Sequence, residues 1–173
     1  MGKKEKRSTG RLLLLIALAM VVCSCGYQLV TDRGIYGGDI KSLSLPTFKN
    51  ITYEPHVSLY VTNAFSRELV SMGLFQLNTP DTDAYLEGSI QRIVILPASM
   101  NSSGLVIEKQ ATMSVDIALY RKNGSFIKRW VFSDTEPYRV DDVNLEEYNK
   151  RAAFEVISGR IARKFSAVLL VEY

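Results

Sequence analysis

Few side chains in this 173-residue sequence are of types and spacings that do chemistry. His56 is the one histidine and directly follows Pro55. It would act as a base only with a partner group to orient it. None is in view, so a solvated residue at a helix start is the simpler reading. Asp141 with Asp142 and Glu146 with Glu147 are adjacent carboxylate pairs. General acid–base work needs two acids converging in one pocket with their pKa values split apart. Adjacent acids at a helix start more simply complement the helix dipole. The serines sit in no nucleophile elbow, and the chain has no EF-hand pattern and no Gly-rich phosphate loop. No catalytic residue, cofactor or metal ligand is assigned, and the chain is read as a non-enzyme.

The residue that does call for covalent chemistry is Cys25. A basic segment with Lys3, Lys4, Lys6, Arg7 and Arg11 precedes the apolar run Leu12 to Val22, which ends in Cys23, Ser24 and Cys25. A basic head, an apolar run and small residues at a cleavage point make a secretory signal. The run is short for a permanent span, which needs about 20 apolar residues. Val22-Cys23-Ser24-Cys25 resembles a bacterial lipobox, in which the cysteine after a small residue is lipidated and becomes the mature N-terminus. Cleavage before Cys23 would put Val22 where a small residue is wanted, so Cys25 is the lipidation site. Gly26 follows where an Asp would favour retention at the inner membrane, which points to the outer membrane. Myristoylation at Gly2 fails because Lys6 stands where Ser or Thr is required. The expected organisation is a signal peptide over 1–24, a lipidated tether over 25–38 and a single domain over 39–173. Stable anchoring takes more than one lipid chain, which a multiply acylated Cys25 supplies.

Processing also changes the charge. Five of the 21 Lys and Arg and one of the 18 Asp and Glu leave with residues 1–24, so 16 basic and 17 acidic residues remain, a net of −1. The formal +3 of the whole chain belongs to the signal, and no nucleic-acid partner is indicated. With Cys23 removed and Cys25 acylated, the mature monomer has no thiols for a disulfide or a metal site. Its core must hold without bridges, and 149 residues suffice for that.

The elements that position these groups follow from hydrophobic spacing. Residues 26–38 are Gly-rich and mixed, as a tether is. Leu43 and Leu45 make a short strand closed by Pro46. Asn50 to Pro55 is a turn-rich loop, and its Asn50-Ile51-Thr52 match to a glycosylation pattern is incidental. Val57, Val61, Ala64, Phe65, Leu69 and Met72 recur at helical spacing, with Pro55 opening the helix, Glu68 as the mismatch and Gly73 as a left-handed cap. Leu74 to Leu77 is a connection or short strand. Tyr85 to Leu96 alternates until near Arg92, where a bulge or the strand's departure from the sheet is expected, and Pro97 stops the strand. After the loop Asn101-Ser102-Ser103-Gly104, the alternation of Met113, Val115, Ile117 and Leu119 marks a strand. Asn123-Gly124 is a hairpin turn, with the return strand over 126–132. These two strands are expected to be the longest pair. Tyr138 to Val143 reads as irregular. Asn144, with Glu147 near a capping box, opens a last helix with the stripe Phe154, Ile157, Ile161, Phe165, Val168 and Leu169. Arg160 and Lys164 fall opposite that stripe and are expected to face water. The predicted fold is α+β: a mixed four-stranded sheet with two helices packed on one face, in the order β-α-β-β-β-α, leaving the other face to a partner.

Tyr27, Tyr36, Tyr53, Tyr120 and Tyr138 fall near loops or strand ends and suit partner contact. Lys109, Arg121, Lys122 and Arg139 lie near loop ends, where they could meet an anionic headgroup such as a phosphorylated saccharolipid.

Several stretches carry a family resemblance over essentially all of the mature chain. They are Cys25-Gly26-Tyr27, Pro46-Thr47-Phe48-Lys49-Asn50-Ile51-Thr52, Ala84-Tyr85-Leu86-Glu87-Gly88-Ser89-Ile90, and Tyr148 to Ala153. In this order and spacing the chain resembles the LptE family of lipopolysaccharide-assembly outer-membrane lipoproteins. The resemblance implies a non-enzymatic, lipid-anchored protein facing the periplasm. Such a protein plugs and helps assemble an LptD-type β-barrel translocon and assists lipopolysaccharide delivery to the outer leaflet. Some members use a basic residue in the loop before the hairpin; here that loop, Asn101 to Gly104, is uncharged. Lys109 and Arg139 are the substitutes, with Arg121 and Lys122 beside them. The Pro-x-Phe-x-Asn-x-Thr stretch also resembles periplasmic lipoproteins of the curli-secretion and penicillin-binding-protein-activator type, which are protein-binding modules. The hairpin followed by one terminal helix fits the first family better.

Overall fold

The computed structural model describes residues 39–171. The signal segment, the tether, Cys25, Tyr27 and Tyr36 lie outside them. The elements are β1 (Ser42–Ser44), β2 (Lys49–Asn50), α1 (Val57–Met72), β3 (Gln76–Leu77), β4 (Ala84–Met100), β5 (Val106–Arg121), β6 (Phe126–Arg139) and α2 (Val143–Val171). They form the expected α+β arrangement. The sheet has six strands, ordered β3-β1-β4-β5-β6 with β2 paired to β4. Four were expected, and the two additions are β2 and β3. Each is two residues long, too short for a period-2 pattern to declare itself.

β1 pairs parallel with β3 and β4, and β2 pairs parallel with β4. β4, β5 and β6 are antiparallel. The longest pair is β4–β5, with 17 and 16 residues, rather than the expected β5–β6. β4 runs through Pro97, which therefore does not end it. Pro97 stands beside a register shift, on a stretch of β4 that has no second neighbour among the described residues. There a missing N–H costs no ladder bond. Of the two readings of the break near Arg92, the structure has the bulge, between Ile90 and Arg92, and the strand stays in the sheet beyond it. β6 also continues through Tyr138 to Arg139, where irregular chain was expected.

Alternation decides what the sheet buries. Leu86, Ile90, Met113, Val115, Ile117 and Leu119 are at most 1% exposed and point to the helices. Gly88 shares that face because the Phe48 ring occupies the place of its side chain; a Cβ would meet the ring at 2.2 Å. Each helix lays its stripe on this layer: Val57, Val61, Phe65 and Leu69 from α1, and Phe154, Ile157, Ile161, Phe165 and Leu169 from α2. Burying such a side chain contributes roughly 1.5–3 kcal/mol. Phe165 lies at the junction, with ring centroids 5.4 Å from Phe65 and from Trp130.

The helix ends are mixed in outcome. Gly73 adopts φ 64° and donates to the Val70 carbonyl at 3.1 Å, the left-handed cap expected of it. α1 begins at Val57, after Pro55 and His56, and α2 begins at Val143. Asp142, not Asn144, caps α2: its Oδ1 accepts from the Asn144 N–H at 2.9 Å. Either residue type can do this, and the position of the chain entry selects the first. Arg160 and Lys164 do not face water alone. Lys164 donates to Asp134 Oδ2 at 2.6 Å, and Arg160 pairs with Asp134 at 3.3 Å and with Glu136, tying α2 to β6. Glu68, the mismatch in the first stripe, accepts from Ser166 Oγ at 2.7 Å across the helix pair.

Candidate functional site

The residues considered for acid–base chemistry are scattered. His56 is exposed, has φ 62°, and makes no side-chain hydrogen bond to α1. Asp141 is held below the usual carboxylate range by hydrogen bonding to Arg139. Glu146 pairs with Lys109 at 2.6 Å. Glu147 is held below its usual value by hydrogen bonding to Lys150, against the opposing effect of burial, and also bonds Arg151. These carboxylates have structural partners and share no pocket. Among the described residues no group of three or more His, Cys, Asp or Glu is placed to hold a metal ion.

The four cations assigned to an anionic headgroup form two groups. Lys109 and Arg139 lie at the end of the sheet near α2, since Lys109 is opposite Tyr138 and Glu108 opposite Arg139. Arg121 and Lys122 lie at the other end of β5, twelve residues along a strand or on the order of 40 Å. Each has a carboxylate partner: Lys109 has Glu146, Arg139 has Asp141, Arg121 has Asp39 at 3.5 Å, and Lys122 has Asp81. The bond to Asp81 raises the Lys122 ammonium above its ordinary pKa, and Asp141 does the same for Arg139.

The sheet face away from the helices is a second surface. Tyr85 stacks on Tyr120 at 5.2 Å, and Tyr120 meets Phe126 edge-on at 5.7 Å. Beside this aromatic row, Arg129 Nε donates to Asp116 Oδ1 at 2.7 Å, and its terminal nitrogen bonds Oδ2. Ser114 bonds Ser133, and Thr112 bonds Thr135. Of the tyrosines named for partner contact, Tyr53 is fully exposed and Tyr120 half-buried, whereas Tyr138 is 5% exposed and belongs to the core.

A third feature carried only a weak sequence signal, the broken alternation at Arg92. The bulge there turns Arg92 out to solvent. Behind it, a groove of about 400 Å³ is lined by Ile51, Tyr53, Ile93 and Ile95, among others. Arg92 has no ion-pair partner among the described residues, unlike the four cations above.

The family model described as LptE, lipopolysaccharide-assembly, matches residues 40–167. The chain belongs to this family. The match spans β1 to most of α2, the whole architecture described above.

Solved structures share the fold at low identity. Rare lipoprotein B from Shewanella oneidensis is 13% identical, with 76% of this chain and 95% of that chain covered and a TM-score of 0.52. A lipoprotein from Caulobacter crescentus is 16% identical over 71% of this chain and 87% of its own, TM-score 0.52. A PelC dodecamer from Paraburkholderia phytofirmans is 15% identical over 80% and 90%, TM-score 0.50. At these identities the likeness is one of fold. No curated protein sequence matches the chain. As a member of the LptE family, the chain is a lipopolysaccharide-assembly lipoprotein associated with the outer membrane. No helix among the described residues is long and apolar enough to cross a membrane.

Proposed function

We propose that this LptE-family lipoprotein plugs an LptD-type outer-membrane β-barrel, helps it assemble, and assists delivery of lipopolysaccharide to the outer leaflet. The observation that carries the reading is the family match across 40–167, from before β1 to most of α2. The molecule supports it with a sheet backed by helices on one face only, which leaves the Tyr85–Tyr120–Phe126 row and the loops for a partner. In this reading residues 1–24 are removed, Cys25 carries the acyl chains, and 25–38 tether the domain to the outer membrane, facing the periplasm and the barrel lumen. The role is binding and assembly rather than catalysis. Lipopolysaccharide contact falls to Lys109 with Arg139 and to Arg121 with Lys122. Its phosphates must displace the carboxylate that each cation now holds, and Arg139, with a side chain 74% exposed, is the most accessible of these.

The test is extraction of the C-terminally tagged chain from outer membranes in mild detergent, followed by identification of what co-purifies. A stoichiometric LptD-type barrel, lost when this chain is depleted, is the expected result. A penicillin-binding protein, or a ring of copies of this chain without a barrel, would overturn the reading, as would recovery without lipid on Cys25.

A further inference from the structure

The sheet has two long outer strands, and their free edges are finished differently. An exposed edge presents a row of N–H and C=O groups that another strand can pair with, and proteins ordinarily blunt it. The outer row of β6 is blunted. The Ser133 carbonyl accepts from Lys164 and the Thr135 carbonyl from Arg160, both at 3.3 Å. Pro137 has no N–H to offer, and the Arg139 carbonyl accepts from Asn149 Nδ2 at 3.0 Å.

β4 has no such finish. Its outer side is covered by β1 and β2 as far as Ile90, whose carbonyl accepts from the Ile51 N–H at 3.2 Å. That bond fixes which residues face outward. Ile90 is opposite Val115 and Arg92 is opposite Ser114, so past the bulge the outward row becomes Ile93, Ile95 and Pro97. The N–H and C=O groups of Ile93 and Ile95 have no partner on that side among the described residues. The open stretch runs from Gln91 to Leu96, and Pro97 limits it.

The row opens beside the groove of about 400 Å³, whose lining includes the apolar Ile51, Tyr53, Ile93 and Ile95 and the charged Glu54 and Arg92. Ile51 is 53% and Leu96 59% exposed. A ladder of backbone groups is satisfied by another backbone, not by a small ligand or a lipid chain. We propose that the β4 edge over Gln91–Leu96 takes an extended segment of the barrel partner, which continues the sheet where β2 stops. Alternate apolar side chains of that segment enter the groove, and a carboxylate on it meets Arg92, an exposed cation on this edge with no ion pair among the described residues. The inference rests on the barrel reading above and adds the surface and the chemistry of the contact.

Amide hydrogen exchange on the full lipoprotein, free and in the co-purified barrel complex, tests it. In the free chain the Ile93 and Ile95 amides exchange fast. In the complex they slow by roughly tenfold or more, while the Val131 amide on the outer row of β6 changes little. A complex that leaves Ile93 and Ile95 fast overturns this inference and leaves the barrel reading standing. Equal slowing at Ile93, Ile95 and Val131 reports only exclusion of water by the barrel and also overturns it. Slowing in the free chain that depends on its own concentration assigns the edge to a second copy instead. Failure to recover any barrel defeats both readings. Arg92→Glu supplies a second measurement, since the exposed side chain leaves folding intact. The variant is expected to weaken the complex about tenfold, with Arg92→Lys close to wild type, and equal affinity for R92E overturns the carboxylate contact.

Discussion

On one face of β4–β6, Leu86, Ile90, Met113, Val115, Ile117 and Leu119 are sealed beneath α1 and α2. On the other, the alternating neighbours Tyr85, Ser114, Asp116 and Tyr120 bond or stack with residues of the adjacent strands and carry no covering layer among the described residues. The first face gains its stability from apolar area removed from water. The second is satisfied sideways, by hydroxyl pairs, one bidentate ion pair and stacked rings. A surface finished in this way is held by its own lateral bonds and does not depend on a covering layer for its polar groups to be satisfied.

The sharpest way to break this contrast is through the buried face. Phe165 is fully buried against Phe65, Trp130 and Phe132. Phe165→Ala is expected to cost about 3–5 kcal/mol, read from urea unfolding, and a loss under about 1 kcal/mol would remove this ring from the centre of the core. Asp134 comes next. Burial raises its pKa, but Lys164, the Thr135 N–H and Arg160 outweigh that and hold it below the usual carboxylate value. The folded state therefore binds this proton less readily than the unfolded state. Its stabilising contribution is full above the ordinary carboxylate range and is lost as the pH falls through the lowered folded value. Asp134→Asn should cost about 1–3 kcal/mol near neutrality, and the difference from wild type should close in acid. A difference that grows in acid would contradict the assignment. The smallest effect belongs to the open face, where Ser114→Ala, which deletes the 3.2 Å bond to Ser133, should shift stability by less than about 0.5 kcal/mol. A large loss there would mean that the two faces are not built differently.

Much of the fold was legible because it rests on local periodicity. The alternation of Met113 to Leu119, the Asn123-Gly124 turn with Gly124 at φ 83°, the Gly73 cap and the bulge near Arg92 are written in neighbouring residues. What stayed hidden depends on residues far apart in sequence. Lys164 and Arg160 looked solvated because Asp134 and Glu136 lie some 25–30 residues away, and Glu68 looked misplaced until Ser166 supplied its donor. Pro97 read as a terminator because sequence does not reveal that its side of β4 has no neighbour. The cations chosen for charge near loop ends proved to be paired, whereas Arg92, whose signal was a break in pattern rather than a charge cluster, has no ion pair among the described residues.

The bulge at Ile90 and Arg92 also acts on the chain as a reading frame. Before it, even-numbered residues of β4 face the helices; after it, odd-numbered ones do. Were Gln91 paired as an ordinary residue, with no bulge, unbroken alternation would send Arg92, Val94 and Leu96 inward and expel Ile93 and Ile95. One extra residue thus keeps the second half of the longest strand in phase with its core, and away from Gln91 single-residue insertions or deletions in β4 are expected to survive only in pairs that restore that phase.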